Sequence, residues 1–330
     1  MSHTMSFRVG SGVGRPGNHE EFMADMTGGN TAVVRWKHAP DGTAFDDAAA
    51  FGAVRGAILE QSNDPRRLRG VAVEIAALLP ASAASRPSDD DDDDGDVLAS
   101  LWRLFVSLAQ QTPSGNLAML ELVVILDHLS SSPKTTATVT DDGFEQLSRL
   151  HGLEQTIRDS MISPYQSPSR KDALARWVNL NAFAALLWSY NLIDGREFAI
   201  RQLRAAFEDR RSSDGGDRDG ADARLMAAAQ WAVHSCQRLY HLSVTSEGEG
   251  GGGGPDGHGN GNGRGADDGE GWEPGPRFRG RAGFSFKRWE FWQQGFEEAH
   301  EFGHGGIEAK VEAQAAAGMM EKVLYAGFEG

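Results

Sequence analysis

Apolar residues recur every three or four positions along most of the chain, which is the spacing of one face of an α-helix. The pattern first holds over Asp46–Gln61, where Phe51, Val54 and Ile58 line up. Asp64-Pro65 reads as a helix start, with an N-capping acid and a proline whose missing N–H costs nothing at the first helical position. That helix should run to about Leu79 and stop at Pro80. Asp96 can cap a third helix through Gln111, with Leu98, Leu101, Trp102, Phe105 and Leu108 on one stripe. Pro113-Ser114-Gly115 then turns the chain into an apolar helix over Asn116–Leu129. Composition predicts a loop over Ser130–Asp142, and periodicity predicts a helix over Phe144–Met161, ended by Pro164 and Pro168.

The segment Ser169–Asn191 is apolar nearly all round. Trp177, Ala184 and Trp188 project one way, and Phe183, Leu186 and Leu187 broadly the other. Such a helix belongs in the middle of a bundle, with neighbours on several sides. Asp194-Gly195 breaks the chain, and further helices are predicted over Arg196–Asp209, Ala221–Leu242, Phe284–Phe302 and Ile307–Leu324. No segment alternates as a convincing series of strands. The predicted fold class is all-α: a single multi-helix bundle or irregular helical array with long disordered insertions. The expected organisation is a disordered segment over 1–44 and a helical domain over 45–302. Flexible loops near 82–96, 131–142, 210–220 and 246–283 interrupt that domain, and a variable tail over 303–330, able to form a short helix, follows it.

Charge sharpens the picture of the loops. The net charge is −15. It is carried by Ser88–Asp96, Ser212–Gly220 and Ser246–Pro274, leaving the remainder neutral. Ser246–Gly283 also holds sixteen glycines. These stretches have too little apolar surface to offset the entropy of ordering, so they read as solvated linkers. A neutral remainder argues against general binding to nucleic acid, which needs a clustered basic field. The single cysteine, Cys236, excludes a disulfide framework and reads as a small core residue. The longest apolar run is interrupted by Glu121 and is too short to span a membrane. Met1–Gly14 lacks the apolar stretch of a secretory signal. The expectation is an intracellular protein, cytoplasmic or nuclear.

The string Arg176-Trp177-Val178-Asn179-Leu180-Asn181-Ala182-Phe183-Ala184-Ala185-Leu186 resembles the central motif of an uncharacterised fungal all-helical family, a domain of unknown function. The closing aromatic helix is similar to that family's through Phe284, Ser285, Arg288, Trp289, Phe291 and Trp292. The resemblance spans about Asp96 to Phe302. It implies an all-α fold, a fungal source and a closing helix that shares one core with the rest. It implies no activity.

Candidate chemistry is sparse. His300-Glu301-Phe302-Gly303-His304 is an H-E-x-x-H string. On a continuous helix, two histidines four residues apart could hold zinc, with the glutamate polarising a bound water and Glu321 offered as a third ligand. Gly303, Gly305 and Gly306 should fray such a helix, and Ile307 and Lys310 stand where extended zinc-peptidase motifs place glycine and histidine. Gly12-Val13-Gly14-Arg15-Pro16-Gly17 has the spacing of a dinucleotide-binding turn but lacks the strand and helix that must flank it. Arg277-Phe278-Arg279-Gly280-Arg281, continuing to Lys287-Arg288, is a basic, aromatic-laced patch that could stack on single-stranded RNA. Asn179 and Asn181 should each fix an interhelical contact, because buried amides are hydrogen-bonded. Trp177, Trp188, Trp231, Trp289 and Trp292 read as core packing. Without a coherent catalytic set, catalytic, cofactor and metal residues are not assigned and no cofactor is expected. The favoured reading is a non-enzymatic helical scaffold or protein-interaction module whose partner is another protein. The alternatives are a zinc-dependent hydrolase using His300, Glu301 and His304, and RNA binding through Arg277 to Arg288.

Overall fold

The computed structural model describes residues 19–26, 30–37, 45–60, 64–81, 97–141, 144–161, 170–209, 217–245 and 272–326. The first elements are an antiparallel hairpin of β1 (His19–Met26) and β2 (Asn30–Lys37), inside the segment 1–44 expected to be disordered. Helices α1 (Asp47–Glu60), α2 (Pro65–Leu78), α3 (Val97–Gln111) and α4 (Leu117–Leu129) follow. Their starts are locally specified. Asp64 accepts from Arg66 N at 3.0 Å, with Pro65 at the first helical position, and Asn116 accepts from Ala118 N at 2.8 Å.

Beyond α4 the structure departs from the expected loop and long helix. A single 3-10 turn, Pro133–Thr135, leads into β3 (Ala137–Asp141), which pairs antiparallel with β4 (Phe144–Ser148). Only Leu153–Ser160 is helical, as α5. The physical reason is visible in Thr135-Thr136-Ala137-Thr138-Val139-Thr140: β-branched side chains favour the pleated backbone, whatever their polarity.

Helices α6 (Arg170–Ser189), α7 (Arg196–Phe207), α8 (Arg218–His234) and α9 (Cys236–Thr245) form the second half, closed by α10 (Phe286–Glu301) and α11 (Ile307–Ala326). As its all-round apolarity requires, α6 is central and packs on α3, α4 and α8. Its buried side chains include Trp177, Leu180, Phe183, Leu187 and Trp188. One main core joins residues from α1 through α11, among them the fully buried Trp102, Phe105, Trp231, Trp289, Trp292 and Phe296. A small satellite of Leu174, Trp177, Val178, Ala223 and Ala227 packs between α6 and α8.

Three further expectations change. Ala221–Leu242 is two helices, broken at Ser235. Residues 272–283 are packed rather than loose, burying Gly275 and Phe278. The helix expected over Ile307–Leu324 forms, over Ile307–Ala326, and packs against α8 and α10 rather than standing off as a tail. The expected insertion at 82–96, and most of those at 210–220 and 246–283, lie outside the described residues, as does Gly12–Gly17.

Candidate functional site

Among the described residues, a groove of about 1200 Å³ lies between the end of α6, the break between α8 and α9, β4 and one flank of α11. Each wall has a local cause. Helix α6 ends in a Schellman arrangement, with Asn191 in the left-handed region at φ 61°. Asn191 N donates to Trp188 O and Leu192 N to Leu187 O, both at 3.0 Å. Gly195 then brings the start of α7 onto Trp188. A Cβ there would lie 2.6 Å from Trp188 Cγ, so no larger residue fits without movement. At Ser235 the hydroxyl donates to Ala185 O of α6 at 2.6 Å, tying the break to the central helix.

The groove wall at Trp188 is stiffened from behind, where Trp231 lies 6.0 Å from it and stacks on Phe198 at 6.3 Å. Arg238 sits over the Trp188 ring at 6.0 Å and donates to Asn191 Oδ1 at 3.3 Å. Arg196 is held by Asp194, and Glu154 accepts from Asp194 N at 3.1 Å. Leu147, Leu242 and Val323 add apolar surface, and Gln146 and Gln237 add amides.

Two of the groove's titratable side chains, Cys236 and His234, are quiet. Burial pushes the Cys236 thiol up to about 12 and the His234 imidazole down to about 4. Both are therefore neutral near pH 7, with no thiolate to act as nucleophile. Cys236 is buried, as expected of a small core residue.

A second concentration of polar groups lies inside the protein. Glu208, just past α7, and Arg288 of α10 are both fully buried and paired. Arg288 Nε and Nη2 donate to the two carboxylate oxygens of Glu208 at 2.7 and 3.0 Å. The remaining donors reach backbone carbonyls of Trp272, Glu273 and Gly283. Trp292 Nε1 and Gly275 N also donate to the same carboxylate, at 2.8 and 2.9 Å. Every N–H of the guanidinium is thus used, which is what a buried ion pair needs to offset its desolvation. This clasp locks residues 272–283 and α10 onto the end of α7.

The clasp alters the basic patch. Arg288 is unavailable to an external ligand, and one guanidinium nitrogen of Arg277 donates to Phe207 O at 3.0 Å. Phe278 is buried against Phe291, and Arg277, Arg279, Arg281 and Lys287 are exposed. The H-E-x-x-H string is not on one helix. His300 and Glu301 end α10, Phe302 is its C-cap, and His304 lies in the following coil. His300 Nδ1 lies 3.3 Å from Lys310 O. Among the described residues no group of three or more His, Cys, Asp or Glu side chains could hold a metal ion. The two asparagines do tie helices: Asn179 accepts from Ser114 N and donates to Gln110 O, and Asn181 accepts from Trp231 Nε1 at 2.9 Å. Of the five tryptophans read as core, all are buried and Trp188 also borders the groove.

Sequence reasoning missed Glu208 and the groove. The signal for Glu208 was the arginine set among the aromatic residues of the closing helix, which had to find an acid if buried. The groove had no local signature, since its walls come from five separate segments.

No helix among the described residues is long and apolar enough to cross a membrane. No curated protein and no solved structure matches the chain significantly. Residues 102–296, more than half of the chain, match the family described as Protein of unknown function (DUF3632). The match begins in α3 and ends in α10, so it takes in α6, most of the groove and both sides of the Glu208–Arg288 clasp. It leaves out α11 and the H-E-x-x-H string, and on this match the chain belongs to that family of unknown function.

Proposed function

We propose that the chain is a non-enzymatic helical interaction module, of fungal origin and cytoplasmic or nuclear, whose groove receives an extended segment of another protein. The observation that carries this reading is the lining of the groove. Apolar Leu147, Leu242 and Val323 share the lining with the hydrogen-bonding side chains of Gln146, Gln237 and Arg238, a mixture suited to a peptide's side chains and backbone together. Cys236 and His234, two of the groove's reactive side chains, are held neutral by burial. Leu147 is 76 % exposed, a large apolar side chain with room for a partner.

A photo-cross-linking amino acid placed at Gln237, in cells, tests this. The expected result is an adduct with a discrete protein, absent when the cross-linker sits at Val73 and lost in Leu147→Asp. Equal labelling from both positions, or none from Gln237, overturns the proposal.

A further inference from the structure

Helix α11 has two unlike faces. Ala309, Ala313, Ala316 and Met320 are buried on one side. On the other, Ile307 is 85 % exposed, Val311 57 % and Tyr325 65 %, and Phe302 just before the helix is 76 % exposed. At about 100° per residue, Ile307, Val311, Ala315, Gly318, Lys322 and Tyr325 fall within about 40° of one line along the solvent face. A single exposed apolar side chain needs no explanation, but Ile307, Val311 and Tyr325 on one face, with the small Ala315 and Gly318 and the stem of Lys322 between them, mark a contact surface.

We propose that this face of α11 docks onto the same face of a second copy of the chain, antiparallel, about a two-fold axis at Ala315. The stripe is self-complementary in shape and in charge. Glu308 and Lys322 stand equally far from Ala315 on opposite sides, about 10 Å along the helix, and on the same flank of the stripe. A two-fold axis therefore sets Glu308 of each copy level with Lys322 of the other, giving two ion pairs from one operation. Neither side chain is engaged by an ion pair within the described chain. Val311 and Gly318 come within about 1.5 Å of the same height, so each valine faces a glycine of the other copy. That glycine leaves open space: a Cβ built there meets nothing within 4 Å. Ile307 falls between Lys322 and Tyr325 of the second copy, where it meets a ring and an aliphatic stem.

The contact is small. A helix about 30 Å long and 10–12 Å across buries less than the roughly 1,200 Å² of a standard stable interface. The expected species is a reversible dimer with a dissociation constant between about 1 μM and 1 mM.

Sedimentation equilibrium of the full chain over that range tests the proposal. Val311→Glu should make the protein monomeric throughout. Glu308→Lys and Lys322→Glu should each weaken association at least about fivefold by setting like charges opposite each other. The double charge exchange should restore it, because only the antiparallel register brings these two positions together. All three positions are outside the core, so the far-ultraviolet circular dichroism and melting of each variant should match the parent. A parent chain that stays monomeric at about 1 mM overturns the proposal and leaves the face to another occupant. So does a dimer indifferent to Val311→Glu, or one that the double exchange fails to recover.

Discussion

Arg288 shows how a charge can be carried into an apolar core. Its five donors are all met, and Glu208 in turn accepts from Arg288, Trp292 Nε1 and Gly275 N. Removing one partner leaves the other buried and unpaired, so Arg288→Met should cost about 3–5 kcal/mol in urea unfolding. The double variant Glu208→Leu with Arg288→Met should recover a large part of that loss, because apolar pairs can replace buried ion pairs of similar volume. A double variant no more stable than the single one would show that the bonds to Gly275, Trp272 and Gly283 matter more than the charges. Glu121 is the opposite case, a buried carboxyl with neither oxygen hydrogen-bonded. Burial lifts it to about 6, partly offset by the Arg67 guanidinium. Between about pH 4.5 and 6 the folded chain keeps this proton while the unfolded chain has lost it, so rising pH costs stability in that window. His234 works the other way. Burial holds it down to about 4, so the unfolded chain alone takes up a proton as pH falls below about 6.5, and stability rises with pH from about 4 to 6.5. The two slopes oppose each other where they overlap. Unfolding midpoints at pH 4.5 and 6 should show Glu121→Gln gaining more stability with pH than the parent, and His234→Gln gaining less. Parallel behaviour in both variants would mean that neither group titrates as its burial dictates.

At the scale of elements, the best-specified features are those with short-range causes. Asp64-Pro65 and Asn116 start α2 and α4 where the chain chemistry places them, and the all-round apolarity of α6 puts it in the centre. The misread elements have causes that lie elsewhere in the chain or in backbone preference. Ser235 is compatible with a helix by itself, and only the bond of its hydroxyl to Ala185 O identifies the break. The β3–β4 hairpin is polar, so its strands carry no apolar alternation, and β-branching is their main signal. Glu208 and Arg288 are eighty residues apart, and nothing local joins them. The turn from α6 to α7 depends on space rather than sequence pattern. Its φ of −90° would suit any residue, yet a Cβ on Gly195 collides with the Trp188 indole. Gly195→Ala should therefore destabilise the fold by about 1–3 kcal/mol, the usual cost of overpacking. A companion Trp188→Phe should relieve part of the collision while creating a smaller loss of its own. Thermal unfolding of the two single variants and the double one measures the coupling, and strictly additive losses would place the cost of the alanine elsewhere.

At the scale of the molecule, the position of α11 decides what counts as the folded unit. A glycine-rich junction precedes it, yet Gly306 N donates to Asp222 Oδ2 at 2.8 Å and Gln230 donates to Glu312 Oε2 at 3.0 Å, fastening the helix along α8. Its buried methionine and three alanines represent about 4 kcal/mol of apolar burial, a large part of the 5–15 kcal/mol that holds a typical domain together. The tail is thus core on one side and free surface on the other, and two neighbouring positions separate those roles. Ala313 is fully buried and Val311 is 57 % exposed. Ala313→Glu places an unpaired charge in the core and should cost more than about 3 kcal/mol, with loss of the cooperative melt in a chain of ordinary stability. Val311→Glu should leave the stability of the single chain within about 0.5 kcal/mol of the parent. Chemical denaturation at low protein concentration separates these effects from any association through the outer face. If both substitutions were tolerated equally, α11 would be an appendage and the core would end at α10. If only Val311→Glu is tolerated, the folded unit runs through α11, and the stripe beside Val311 is surface that the fold itself does not require.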